Sequence, residues 1–190
     1  MTTLQKIYKG ITKTAWGYFF ISFNFSIGGF NLLPSFIGYL LFLSAITDLE
    51  EEERELSLLR TLAILLCVWN VGSSFTAMIG FSLDGQFQFL DIILDLVHLY
   101  FHFQLLTNLA SIAARYQDGE DEIDKNLLGY RTTQTVMLTA TTMLEMLAPR
   151  FGEFYTIILL IMVILYVIVS ICIMANLFRL RRYLTEEETV

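Results

Sequence analysis

The residue types most able to do chemistry are two carboxylates and two imidazoles, at intervals of four, three and four residues: Asp91, Asp95, His98 and His102. Residues spaced in this way share one face of an α-helix, because the helix has 3.6 residues per turn. Apolar residues fill most of the positions between them. Ionisable groups inside a membrane are costly and commonly functional. We therefore expect this stripe to face a bundle interior or a wet cavity.

Three interpretations fit the stripe. In the first, Asp95 attracts a cation while His98 and His102 relay protons or orient a solute, since histidine titrates near neutrality. In the second, His98 and His102 present two imidazoles to a divalent metal ion, and Asp95 adds an oxygen ligand. The chain has only these two histidines, so a further ligand must be of another type. In the third, the stripe is polar glue between helices.

The elements that must position this stripe are membrane helices. Of the 190 residues, 55% are hydrophobic and 16% are charged, and the mean hydropathy is +0.60. A soluble domain carries about 25% charged residues, so the composition excludes an ordinary cytosolic enzyme. The net charge of −7 and the lack of a basic patch argue against nucleic-acid binding. Cys67 and Cys172 lie in apolar stretches and are expected to be packing residues.

Six apolar stretches approach or exceed the length of a membrane helix. We predict spans at residues 14–30, 32–47, 58–80, 87–114, 130–147 and 155–178, which make residues 1–190 a single all-α, polytopic transmembrane bundle. Gly28 and Gly29, followed by Pro34, predict a tight turn and a close hairpin between the first two spans.

The lysines and arginines predict how the bundle is oriented. With six spans, eleven of the twelve lie on the side of the two termini, and only Arg150 lies on the other side. Positive residues concentrate on the cytoplasmic side of a membrane. We expect a plasma-membrane protein with both termini in the cytoplasm.

Three further polar residues reach the depth of the stripe when residues are counted from the span ends: Asn24, Asn70 and Glu145. Together with Asp91, Asp95 and His98 they are expected to line one negatively charged pocket that opens to the outside. Such a pocket suits a cation or a protonated amine. The acidic segment at residues 48–55 is expected to be a solvated helix extension, with one helical ion pair between Glu50 and Arg54. The acidic loop at residues 118–124 has carboxylates that suit a divalent cation, but it lacks the spacing of an EF-hand.

The segment GFNLLPSFIGY at residues 29–39 resembles the first hairpin of a group of small bacterial integral membrane proteins with six spans. The resemblance covers about a dozen residues and implies the six-span layout. The group has no known activity, so it implies no site residue. The layout, with both ends inside, is also similar to that of the substrate-binding subunits of vitamin-uptake ABC systems, by analogy of layout alone.

These observations favour a membrane transport component for a small, cationic solute, and two alternatives stay open. One is an accessory or sensor subunit that contacts a membrane partner or a second copy of itself through a small-residue face at Ala110, Ser111 and Ala114. The other is an intramembrane metalloenzyme. Transport predicts a cavity that reaches Asp95, the accessory subunit predicts a packed stripe and an exposed small-residue groove, and the enzyme predicts a third protein ligand.

Overall fold

A computed structural model describes residues 2–23, 26–27, 30–31, 34–80, 88–119, 121–151 and 153–186. This part of the chain forms six helices, numbered in chain order: α1 Thr3–Ser22, α2 Ser35–Leu49, α3 Leu56–Met78, α4 Gln88–Tyr116, α5 Ile123–Phe151 and α6 Glu153–Glu186. Two very short strands, β1 (Ser26–Ile27) and β2 (Phe30–Asn31), pair antiparallel between α1 and α2. The expected all-α bundle is confirmed for these residues. The turn predicted at Gly28 and Gly29 lies outside them.

The six helices form a closed ring. Each helix packs against the next along the chain, and α6 returns to pack against α1. The short connections make neighbouring helices antiparallel, as in an up-and-down bundle. A smaller contact joins α4 to α6 across the ring. The inner face of α4, which carries the stripe, is therefore surrounded by other helices.

Several helix ends differ from the predicted spans. Helix α1 begins at Thr3 rather than at residue 14, and α5 begins at Ile123 rather than at residue 130. Helix α6 continues to Glu186, well beyond residue 178. A span prediction counts apolar residues, whereas a helix continues through charged turns while one face is packed. In α1 that face includes Ile7 and Ile11, both buried between the turns that carry the lysines.

The first helix also ends earlier than predicted. Its last residue is Ser22, and the chain then passes through the β1–β2 pair instead of continuing as helix to residue 30. Helix α2 begins directly after Pro34, whose φ of −65° suits a helix start. Because α2 has only 15 residues, it is shorter than a full membrane span.

Three of the described helices are long and apolar enough to cross a membrane: Leu56–Met78 in α3, Phe89–Tyr116 in α4 and Phe154–Thr185 in α6. Large apolar side chains stand exposed on their outer surfaces. Val68 and Phe75 of α3 are each 65% exposed, and Leu160 of α6 is 60% exposed. Exposed apolar surface on long helices is compatible with a membrane protein, because lipid rather than water then covers it.

Glycines bring α1 and α2 into close contact. A Cβ atom at Gly17 would lie 2.5 Å from Cε1 of Phe42, and one at Gly10 would lie 2.5 Å from Cγ of Leu49. On the facing helix, a Cβ atom at Gly38 would lie 2.8 Å from the carbonyl oxygen of Gly17. Only residues without a side chain allow two helices to approach so closely.

The turn between α2 and α3, residues 48–55, is here named the acidic turn, and it differs from the solvated segment expected from the sequence. Its carboxylates bind basic residues of two helices: Lys13 to Asp48 at 2.5 Å, Lys6 to Glu51 at 2.7 Å and Arg60 to Glu50 at 2.9 Å. The sequence predicted an ion pair between Glu50 and Arg54, but Glu50 pairs with Arg60 instead. The acidic turn therefore links α1 to α3.

Helix α4 also binds the acidic turn. Arg115 donates hydrogen bonds to Glu52 at 2.9 Å and to Glu53 at 2.8 Å, and Ser111 donates to Glu53 at 3.0 Å. About three helical turns before Arg115, Gln104 donates to Glu55 at 2.8 Å. The acidic turn thereby fixes the positions of α1, α3 and α4 at one end of the bundle.

The two ends of the bundle are packed differently. At the end of the acidic turn, the interior is filled by large apolar side chains that are at most 1% exposed: Ile7, Ile11, Leu49, Leu56, Leu59, Leu105, Leu109, Leu177 and Leu180. This close packing stops at about the level of His102, which is 1% exposed. Beyond His102, towards the start of α4, the ring encloses open space.

Candidate functional site

A cavity of about 420 Å³ lies inside the ring, and side chains from all six helices line it. The polar part of its wall consists of Ser22, Ser35, Asn70, Asp95, His98 and Thr141. Eight aliphatic or thioether side chains and three aromatic ones, Tyr39, Trp69 and Tyr166, form the rest. Sites for small organic molecules commonly have volumes of about 300–1,000 Å³ and mostly apolar walls. The cavity has the size and the lining of such a site.

The cavity brings together three of the six residues that were predicted to line a pocket. Asp95 and His98 reach it from α4, and Asn70 reaches it from α3. The side-chain nitrogen of Asn70 donates to the carbonyl oxygen of Leu66 at 2.8 Å, so its amide is held within its own helix. The grouping matches the common depth inferred from the span ends.

Asp95 is the acidic group of this wall. The Thr142 hydroxyl of α5 approaches its Oδ2 atom at 3.4 Å, which is a long hydrogen bond. Among the described residues, Asp95 forms no ion pair. A carboxylate in mostly apolar surroundings is stabilised by any cation that can reach it. The wall of the cavity can therefore attract positive charge.

The two histidines have different surroundings. Their rings lie nearly perpendicular, at 82°, with centroids 4.5 Å apart. His98 lines the cavity, whereas His102 is packed against Phe42 and Phe101. Nδ1 of His102 lies 3.2 Å from the hydroxyl of Tyr18, which is itself fully buried. The stripe thus runs from the cavity into the packed core.

The Nε2 atoms of His98 and His102 are buried and have no hydrogen-bond partner within the described part of the chain. The hydroxyl oxygen of Ser22, on the opposite wall, is in the same situation. Buried polar groups in proteins are almost always bonded to protein or to ordered water.

Sequence reasoning assigned only Glu145 of α5 to the pocket and missed the contribution of α6 altogether. Nε2 of Gln134 donates to the Tyr166 hydroxyl at 3.2 Å, and Gln134 is only 1% exposed. Tyr166 is the only tyrosine between Tyr155 and Tyr183 in a long apolar helix. This wall could have been identified from the few polar side chains in the middle of this helix: Tyr166, Ser170 and Asn176.

Of the other three predicted pocket residues, only Asp91 has a described side chain. Asp91 lies one helical turn from Asp95, partly exposed, and does not line the cavity. Asn24 lies outside the described residues, as does the side chain of Glu145 in α5.

The expected metal site lacks a third ligand in the described part of the chain. No group of three or more His, Cys, Asp or Glu residues there is placed to hold a metal ion. Asp95 and His102 flank His98 on the same helix. Only Asp95 and His98 face the cavity, so a further ligand could reach the stripe only from there. The imidazole pair alone is weak support for a metal, because structural zinc sites use four ligands and catalytic sites three.

The small-residue face of α4 is partly occupied within the bundle. Ala110 is 3% exposed, and Ser111 donates its hydrogen bond to Glu53 of the acidic turn. Ala114, the third residue of this face, is exposed. A search of protein-family models, curated proteins and solved structures finds no match to the chain.

Proposed function

We propose that this chain is a plasma-membrane protein with six spans and two cytoplasmic termini, and that it acts as a transport component that binds a small cationic solute. The observation that carries the proposal is the cavity at the centre of the ring, with Asp95 on its wall. Of the three interpretations of the sequence, only transport expects a cavity at this carboxylate.

The architecture supports the six-span topology. Helices α3, α4 and α6 are long and apolar enough to cross a membrane, and α1, α2 and α5 pack between them in the same ring. Basic residues of α1, α3 and α4 meet the acidic turn at one end of the bundle. Under the positive-inside rule this end is cytoplasmic.

Under the same topology, the cavity opens to the outside of the cell. The acidic turn and the closely packed core fill the cytoplasmic half, and the cavity lies in the outer half. Solute then enters from the outside and contacts Asp95 and His98. His102 and Tyr18 continue inward from that point, in a position to relay protons or to orient the imidazole of His98.

The two alternatives have less support. For the accessory subunit, the small-residue face of α4 is only partly open, because Ala110 is buried and Ser111 binds the acidic turn, whereas Ala114 is exposed. Contacts with a membrane partner or a second copy through the apolar faces of α3 and α6 remain compatible with this proposal, as are contacts with lipid. A metalloenzyme needs a further ligand beside Asp95, His98 and His102, and the described residues do not supply one.

Thermal melting of the purified protein in detergent tests the solute site. Protonated amines are expected to raise the melting temperature of the wild type and of Asp91→Asn, but not that of Asp95→Asn. Asp91→Asn is the matched control, because it makes the same chemical change one helical turn away from the cavity. His98→Gln should weaken the response. Divalent metals are screened in parallel, and a shift by metals alone would favour the metalloenzyme.

The same melting experiment can also refute solute binding. If no amine shifts the wild type, and both Asp95→Asn and His98→Gln melt at a much lower temperature, the stripe is structural. That result would refute solute binding and favour the accessory subunit.

Thiol labelling of intact cells tests the topology. Cysteines introduced at Ser82 and Gly152 should react with an impermeant reagent, and cysteines at Gln117 and Glu187 should not. The background is a variant in which Cys67 and Cys172 are alanine. Labelling at Gln117 from the outside would overturn the topology.

A further inference from the structure

The described wall of the cavity has a carboxylate but no lysine or arginine. Among the lining residues that the structure describes, Asp95 is the only acidic one. The nearest described partner of the carboxylate is the hydroxyl of Thr142, at 3.4 Å. An ionised carboxylate is therefore left for a ligand to neutralise, and the matching ligand carries a single positive charge.

The remainder of the wall suits hydrocarbon rather than water. Helices α5 and α6 contribute Met137, Leu138, Met162 and Val163 to the lining. Methionine side chains adapt to ligands of irregular shape. A bare inorganic cation has little to gain here, because Ca²⁺ requires six to eight oxygen ligands and Mg²⁺ requires six. A wall with one carboxylate and a few hydroxyl and amide groups does not replace such a hydration shell.

We propose that the solute is an amphipathic organic monocation, in which a primary ammonium group is attached to a hydrocarbon body. The ammonium lies at Asp95, and the hydrocarbon body lies against Met137, Leu138 and Met162. The hydroxyl and amide groups of the wall accept the remaining ammonium hydrogens. This inference rests on the proposed solute-binding function and names the class of solute that the site takes.

A homologous series of ligands tests the proposal on the wild-type protein. We would measure the affinity of methylammonium, butylammonium and hexylammonium by calorimetry, with the protein in lipid nanodiscs and empty nanodiscs subtracted. Each methylene buried in an apolar site is expected to tighten binding about fourfold, from roughly 0.8 kcal/mol per methylene. The gain should stop when the hydrocarbon fills the cavity. The matched neutral ligand is 1-hexanol, which we expect to bind at least tenfold more weakly than hexylammonium.

Two variants assign the two halves of the ligand. Asp95→Asn should abolish the preference for hexylammonium over 1-hexanol, whereas Asp91→Asn should keep it. Leu138→Asn should reduce the gain in affinity per methylene of the ligand. The wild-type series stands without these variants, so a variant that fails to fold does not decide the test.

Each outcome has a distinct meaning. Equal affinities for methylammonium and hexylammonium would overturn the amphipathic solute and leave a small-cation site standing. Equal affinities for hexylammonium and 1-hexanol would overturn the charge pairing at Asp95. If neither the amines nor the alcohol bind to folded protein, solute binding itself fails.

Discussion

The contact between α1 and α2 allows a quantitative test, because the substitution Gly38→Ala adds a single methyl group at a place with no room for it. The new Cβ atom would lie 2.6 Å from Cγ1 of Ile21 and 2.8 Å from the carbonyl oxygen of Gly17. The side chain of Ile21 can rotate, but the carbonyl belongs to the backbone of α1. The two helices must therefore move apart.

Overpacking of this kind typically costs about 1–3 kcal/mol. Alanine also favours a helix over glycine by up to about 1 kcal/mol. Because one of the two clashes is with backbone, we expect a cost near the upper limit and a net loss of about 2 kcal/mol. For a chain of this length that corresponds to a melting temperature lower by about 4–8 °C.

The matched control is Gly72→Ala in α3, where a new Cβ atom would have no neighbour within 4 Å. That substitution keeps the gain in helix propensity without a clash, so it should raise the melting temperature by up to about 2–4 °C. Both variants would be melted in the same detergent and followed by tryptophan fluorescence. Shifts of the same sign and size in the two variants would refute the close contact between α1 and α2.

Three further predictions concern polar contacts. Tyr18→Phe removes the hydroxyl that contacts Nδ1 of His102. The imidazole is then left buried without this partner, which should lower the free energy of unfolding by about 1–3 kcal/mol. An unchanged melting temperature would contradict this prediction. Arg115→Gln breaks two ion pairs with the acidic turn, and since the guanidinium is half exposed the loss should be below about 1 kcal/mol and vanish in 1 M salt. A loss that persists in high salt would show that the ion pairs are not its cause. The side-chain amide of Gln117 donates to the carboxylate of Asp124 and holds the pKa of Asp124 below its ordinary value. That stabilisation is complete above the unfolded-state pKa of about 3.9 and is lost as the pH falls through the folded pKa. The wild type should therefore have a higher melting temperature than Asp124→Asn at neutral pH, and the difference should disappear below about pH 4. A difference that does not change with pH would show that the ionised carboxylate of Asp124 is not its cause.

The spacing of polar residues predicted the inner face of α4 because that argument needs only the geometry of one helix. Asp95 and His98 line the cavity and His102 is buried, as intervals of three and four residues require. The depth of Asn70 was also predictable, since residues counted from a span end give a height along the bundle. These inferences are local to one helix or depend on its length alone.

Contacts between helices were not predictable in this way. The pairing of Tyr18 with His102 depends on the rotation of α1 about its axis, which the packing of Gly17 against Phe42 determines. The acidic turn was expected to be solvated because its partners lie on three different helices. One signal was present: a second set of polar residues in α4 has the same spacing as the stripe, namely Gln104, Asn108, Ser111 and Arg115.

The basic residues that bind the acidic turn would act at two stages in the life of the protein. Under the proposed topology, Lys6, Lys13, Arg60 and Arg115 are among the charges that hold the flanks of newly made segments in the cytoplasm during insertion. Acidic residues have little influence at that stage. Once the segments are in the bilayer, the same four cations meet the carboxylates of the acidic turn and join α1, α3 and α4. Insertion and assembly thus depend on one set of charges, and an acidic-turn variant would impair assembly while leaving orientation intact.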